Sequence, residues 1–161
     1  MKKSILSFVF VLVLATVASA APRFGVIGEQ EGGLGAFITD DMYNAQVTFA
    51  NLSDDKAASS KNETTAIKLG ANYKIALDSV TALTAGVNYQ TVSGKIDGTE
   101  IETNNSLAVS AGFERALSSN IVLTTQADVY SQETLKVKGQ SGETKTTRLF
   151  SNGRVGVAYL F

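Results

Sequence analysis

The sequence predicts an all-β fold, in which eight antiparallel strands close in up-and-down order into one barrel. Three observations predict it. Long stretches alternate between apolar and small or polar side chains with the period of two that marks a strand. Tight turn clusters and longer polar segments take turns along the chain, as hairpins joined end to end require. Glycine is frequent (14) and proline rare (1), so long strands can run without losing ladder donors.

The amino end comes first. Lys2 and Lys3 precede an apolar run from Ile5 to Val17 broken only by Ser7 and Thr16, and Ala18-Ser19-Ala20 supplies a small-x-small site. Residues 1–20 are therefore expected to be a secretory signal peptide cleaved after Ala20. The run is too short for the ~20 apolar residues of a membrane helix. Residues 21–161 then form one domain of 141 residues, too few for two. Losing two lysines leaves 12 basic against 15 acidic residues, a net charge of −3, which argues against a nucleic-acid partner. With no cysteine, an exported chain must hold itself together without disulfides.

The strands are expected at 23–28, 34–38, 43–52, 64–76, 80–93, 106–116, 121–137 and 146–161. Tight turns at Thr39-Asp40-Asp41-Met42, Leu77-Asp78-Ser79 and Leu117-Ser118-Ser119-Asn120 alternate with connections at 29–33, 53–63, 94–105 and 138–144. The first two strands are short and rich in glycine. Merging them into one bent strand would give an odd count, with the termini on opposite sides. The last six are long enough for the ~9–11 residues a tilted transmembrane strand needs.

Each long strand has two distinct faces. In the fourth, Ile67, Leu69, Ala71, Tyr73 and Ile75 oppose Ala66, Lys68, Gly70, Asn72 and Lys74. In the fifth, Leu83, Ala85, Val87 and Tyr89 oppose Ala82, Thr84, Gly86 and Asn88. In the sixth, Leu107, Val109, Ala111 and Phe113 oppose Ala108, Ser110, Gly112 and Glu114. In the eighth, Leu149, Val155, Val157, Tyr159 and Phe161 oppose Arg148, Asn152, Arg154, Gly156 and Ala158. A soluble β-sandwich would show the same alternation. The second face decides in part, because small residues beside scattered charges suit a narrow polar interior better than a wetted sheet surface. The export signal and the aromatic end of the last strand add to the case for a barrel. In lipid such a sheet must close. Phe24, Tyr43, Phe49, Tyr73, Tyr89, Phe113, Tyr159 and Phe161 are then expected at the bilayer interfaces.

The inward face carries Lys68, Lys74, Glu114, Asp128, Arg148 and Arg154, with Glu29 less securely placed and Gln46, Asn72, Asn88, Gln90, Gln126 and Asn152 beside them. Charges in so narrow a space should pair, because an unpaired one is costly to desolvate. The expectation is a polar network that plugs the interior. A thin hydrated path whose selectivity is set by Lys68, Arg148, Arg154, Glu114 and Asp128 is the alternative.

Histidine and cysteine are both absent, which removes Ser-His-Asp triads, Cys-His pairs and histidine-based zinc sites. Asp40-Asp41 lies in a predicted turn and Asp54-Asp55 in a predicted loop, positions where Asp serves the backbone or solvent. No catalytic, cofactor or metal site is expected.

The alternation of Val155, Val157, Tyr159 and Phe161 on the last strand, ending on an aromatic carboxyl terminus, resembles the carboxy-terminal strand of bacterial outer-membrane β-barrel proteins. With the export signal, the chain resembles small barrels of the OmpX, opacity-protein and OmpA-barrel type. The resemblance implies an eight-stranded transmembrane barrel in the bacterial outer membrane, working as a monomer. It implies contact with outer-membrane lipid and lipopolysaccharide. It also implies delivery to the barrel-assembly machinery through Val157, Tyr159 and Phe161. The outer-membrane deacylase, omptin and palmitoyltransferase families depend on a catalytic His that this chain lacks. The expected function is therefore non-enzymatic, structural or surface-interacting, with a small passive channel as the alternative and a secreted sandwich that binds a partner as a third. Deleting Phe161 is expected to impair assembly far more than Leu160→Val, measured as the fraction of heat-modifiable folded protein in outer membranes.

Overall fold

The computed structural model describes residues 21–30, 32–54, 62–96, 99–139 and 141–161, and shows a closed barrel. Its strands are β1 (Arg23–Glu29), β2 (Leu34–Thr39), β3 (Tyr43–Asp54), β4 (Asn62–Ala76), β5 (Thr81–Ile96), β6 (Thr99–Ala116), β7 (Ile121–Val137) and β8 (Thr144–Leu160). Each pairs antiparallel with its neighbour in sequence, and β1 closes on β8 from Gly25 opposite Leu160 to Glu29 opposite Gly156. The first hairpin is two strands, which keeps both ends of the sheet on the side of the tight turns. The signal-peptide expectation for 1–20, the loop residues 55–61 with Asp55, and Asp97-Gly98 lie outside the described residues.

One expectation fails. The segment 94–105, read as a polar loop, is almost wholly strand: β5 runs to Ile96 and β6 restarts at Thr99. Its polar residues pair across the sheet instead of looping. Lys136 Nζ donates to Glu102 at 2.6 Å and Lys138 Nζ to Glu100 at 2.7 Å. Polarity there marks a wall standing in water, where alternation of hydrophobicity has nothing to report.

Curvature comes from lumen-facing glycines and from bulges. A Cβ on Gly35 would sit 2.7 Å from Thr48 Cα, and one on Gly112 2.8 Å from Gln126 Cα, so neighbouring strands close over these positions only because no side chain is there. The β6–β7 register shifts between Val109 and Ser110, and the β7–β8 register between Ala127 and Asp128. The shift leaves Val129 and Tyr130 both facing out and Asp128 and Ser131 both facing in. On β8, Phe150 and Asn152 take positive φ values of 50° and 48°, strained for non-glycine residues.

The turns are held by side-chain carboxylates. Asp40 Oδ1 accepts from the N–H of Met42 at 2.6 Å and Tyr43 at 2.7 Å. Asp78 Oδ1 accepts from Val80 at 2.8 Å and Thr81 at 2.7 Å. Chiefly through the Val80 N–H, Asp78 is held below the usual carboxylate range. A carboxylate depressed in the folded state stabilises the fold above its unfolded pKa and loses that contribution as pH falls through the lowered value. Asp78→Ala is thus expected to lower the unfolding midpoint at neutral pH, with the difference narrowing below about pH 4. Urea titrations of the refolded barrel across pH check it.

Candidate functional site

The lumen is organised in two levels. At the end carrying the tight turns, β8, β1, β2 and β7 supply Ala158, Leu160, Ile27, Phe37 and Val122, all nearly inaccessible (Ile27 0%, Leu160 1%, Phe37 2%). This apolar cluster departs from the expected interior of small and charged groups. It also means that Leu160 is a packed core residue, so a change there trims the core and is no neutral reference for Phe161.

Beside the cluster lies a buried polar knot. Lys74 Nζ donates to Glu114 Oε1 at 2.5 Å, to Thr39 Oγ1 at 2.9 Å and to the carbonyl of Asp40 at 2.6 Å, using all three of its donors. Glu114 Oε2 accepts from Asn44 Nδ2 at 2.6 Å, and Asn44 Oδ1 accepts from Asn72 Nδ2 at 2.7 Å. Both charged side chains are more than nine-tenths buried, so the pair persists because every donor found an acceptor.

Midway along the lumen, Glu29 accepts from Gln46 at 2.9 Å and Thr48 at 3.1 Å and pairs with Lys68 at 3.4 Å. Across from it Asn88 donates to Ser110 at 2.7 Å. Arg154 pairs directly with Asp128, which also accepts from Asn152 at 3.3 Å. Above these groups, in the half towards the longer connections, opens a cavity of about 490 Å³. Lys68, Arg148 and Arg154 face Asp128 and Glu133 across it, and Asn88, Gln90, Asn104, Ser106 and Asn152 complete its polar lining. Arg148 stands apart from the other basic groups. Its side chain is 57% exposed and its nearest carboxylate, Glu133, is 3.9 Å away.

The outside is the inverse. Phe24, Val26, Phe49, Tyr73, Leu83, Val87, Leu107, Val109, Phe113, Val155, Val157 and Tyr159 are exposed in a continuous band around the sheet. Tyr43 packs edge-on to Tyr73 (5.4 Å) and Tyr159 to Phe161 (5.9 Å) near the turn end. Buried charge inside and exposed aromatic and aliphatic surface outside suit a closed sheet in lipid, and no soluble fold. The molecule is a closed β-barrel with a lipid-facing outside. The short turns and both sheet ends lie at one end of the barrel, and the cavity lies towards the other.

No protein-family model matches the sequence, and no curated protein does. Among solved structures the barrel is similar to Neisserial surface protein A (18% identity, TM-score 0.47, covering 87% of this chain and 94% of that one). It is similar also to Ail, the attachment invasion locus protein of Yersinia pestis (15%, 0.41, 87% and 95%). A third is a major outer membrane protein from Thermus thermophilus (16%, 0.45, 88% and 100%).

Of the six lumen residues singled out from the sequence, Lys74 and Glu114 meet at the floor and Asp128 and Arg154 meet midway. Lys68 joins Glu29 across three strands, and Arg148 stands at the mouth. Val157, Tyr159 and Phe161 face outward. Sequence reasoning missed Thr39, Asn44 and Thr48, which share parity with Gln46 or Phe37, and Glu133, whose parity the β7 bulge inverts. Glu114→Ala strands a buried ammonium and is expected to destabilise the barrel by about 3–5 kcal/mol. The double change Lys74→Met with Glu114→Leu should recover most of that loss, read from urea unfolding in detergent.

Proposed function

We propose that this chain is a non-enzymatic outer-membrane barrel that does not conduct and acts at the cell surface. The observation that carries the reading is the floor of the lumen. Ile27, Phe37, Val122, Ala158 and Leu160 fill one side of the turn end, and the Lys74–Glu114 knot with Asn44 and Asn72 fills the other. An eight-stranded barrel has an interior just wide enough for its own side chains, so a packed layer of this kind is enough to stop ions. Surface action is supported by the walls of β5, β6 and β7. They continue past the apolar band as a charged ladder that includes Lys136–Glu102 and Lys138–Glu100. Exposed pairs of this sort add little stability. They give the rim a mixed-charge surface for ligands or neighbouring envelope components.

Outer-membrane lipid and lipopolysaccharide are the proposed surroundings of the apolar band, with the last strand engaging the assembly machinery and the barrel working as a monomer. A channel would need the Lys74–Glu114 knot to open and the apolar cluster to part together. Refolded protein in a planar bilayer is expected to give no unitary conductance at about ±100 mV, a potential worth ~2.3 kcal/mol per elementary charge. Stable steps that vanish when a bulky side chain is placed at Ala82 in the lumen would overturn the reading in favour of the channel.

A further inference from the structure

The barrel wall is not of even height. β1 has seven residues and β2 six, while β5 to β8 have 16 to 18. The hairpin between β1 and β2 turns early: Glu29 N–H donates to the Gly33 carbonyl at 2.8 Å and Gly32 N–H to the Glu29 carbonyl at 3.0 Å. Gln30 N–H reaches the Val155 carbonyl at 2.9 Å, and β2 starts at Leu34 opposite Phe49. Beyond that point β8 continues from 154 back to 144, and β3 onward from 50 to 54. Among the described residues neither edge has a ladder partner on this side. The bare edge of β8 is roughly 36 Å long at ~3.3 Å per residue.

This slot begins inside the lipid band. Leu149 and Phe150 stand on its β8 side, 69% and 82% exposed, and Leu34 and Phe49 on the other, all apolar and outward. Unpaired peptide groups at membrane depth persist only where they line a watered cavity. The 490 Å³ cavity is placed to supply one. All twelve residues that line it come from β4 to β8 and none from β1, β2 or β3, so it is walled on five strands and bare on the side of the slot. The strained φ of Phe150 and Asn152 fits the same edge, keeping Leu149 and Phe150 in lipid while Asn152 turns inward to Asp128.

We propose that the slot is a lateral portal from the outer leaflet into the lumen, and that the cavity binds the head of an anionic single-chain amphiphile whose tail stays in lipid between Leu149, Phe150, Leu34 and Phe49. Arg148 is the head's first contact. Its guanidinium is exposed and only loosely held by Glu133, whereas Arg154 and Lys68 are engaged by Asp128 and Glu29. Asn104, Gln90 and Asn88 offer amide donors around the same cavity. A symmetric second copy suits the slot poorly. Two barrels inserted in the same sense would bring their β8 strands together parallel and tilted across one another, against the antiparallel edge each presents.

The proposal rests on the sealed floor, which makes the cavity blind. The test is calorimetric titration of the full folded barrel in neutral maltoside micelles with dodecyl phosphate, inorganic phosphate and dodecyltrimethylammonium. Folding of each variant is verified by its heat-modifiable gel mobility. Dodecyl phosphate should bind saturably at one site, inorganic phosphate should neither bind nor compete, and the cationic amphiphile should not bind. Arg148→Gln should weaken dodecyl phosphate about tenfold and Arg148→Lys much less, with Lys136→Gln on the outer ladder leaving it unchanged. Absence of saturable binding would overturn the proposal, as would competition by inorganic phosphate, equal binding of the cation or indifference to Arg148→Gln. A dimer that excludes the probe would assign the slot to a second copy instead. Failure of the sealed floor shows separately, as conductance in the planar bilayer.

Discussion

Hydrocarbon offers no partner to a peptide N–H or C=O, and this constraint organises the molecule. A sheet in lipid must return to its own first strand. Here it does so through only five register pairs, Gly25 to Glu29 against Leu160 to Gly156. Closure gives every side chain an inside or an outside, and the period-two alternation becomes a division between two solvents. The outside takes tyrosine, phenylalanine, leucine and valine. The inside takes what fits a narrow tube and can be paired.

The pairing divides the tube into a floor and a cup. At the floor the strands are at their closest complement. Gly25 lets β1 approach β8, and the remaining space is filled by a five-residue apolar cluster beside an ammonium–carboxylate knot whose ammonium has no spare donor. Burying charge is worthwhile there only because the neighbouring asparagines and Thr39 complete the hydrogen bonding. Higher up the β6–β7 and β7–β8 registers shift, and the charges are spaced around an open volume instead of being packed into it.

The short first hairpin breaks the symmetry of this arrangement. A barrel with eight equal strands would carry its hydrogen-bonded wall through the whole band. In this chain Glu29 and Gly33 end the wall early, and among the described residues the longer strands on either side are left without a ladder partner across a slot. The exposed pair Leu149 and Phe150, the bulge behind them and the loosely held Arg148 all belong to that one edge. The polar surface rising on β5 to β7 stands on the opposite side of the mouth.

Much of the fold was legible in the residues. Eight strands, the three tight turns and the facing of β4, β5, β6 and the last turnward residues of β8 follow from alternation, because two solvents impose opposite demands on adjacent side chains. The strand identity of 94–105 was not legible, since above the membrane both faces meet water and the alternation disappears. Nor was Glu133, because a bulge shifts parity without leaving a mark in composition. The inward charges could be named from the chain alone, yet their partners could not. Lys74 meets Glu114 and Lys68 meets Glu29 at separations of 40 and 39 residues, and only the stagger of a closed sheet determines which rungs share a level. The apolar floor, the cup above it and the slot beside it are likewise products of closure. By itself the sequence determined which side chains face lipid and which face the lumen wherever the ladder runs without a bulge through the membrane. Register, set by hydrogen bonds between strands distant in the chain, decided what each of them touches.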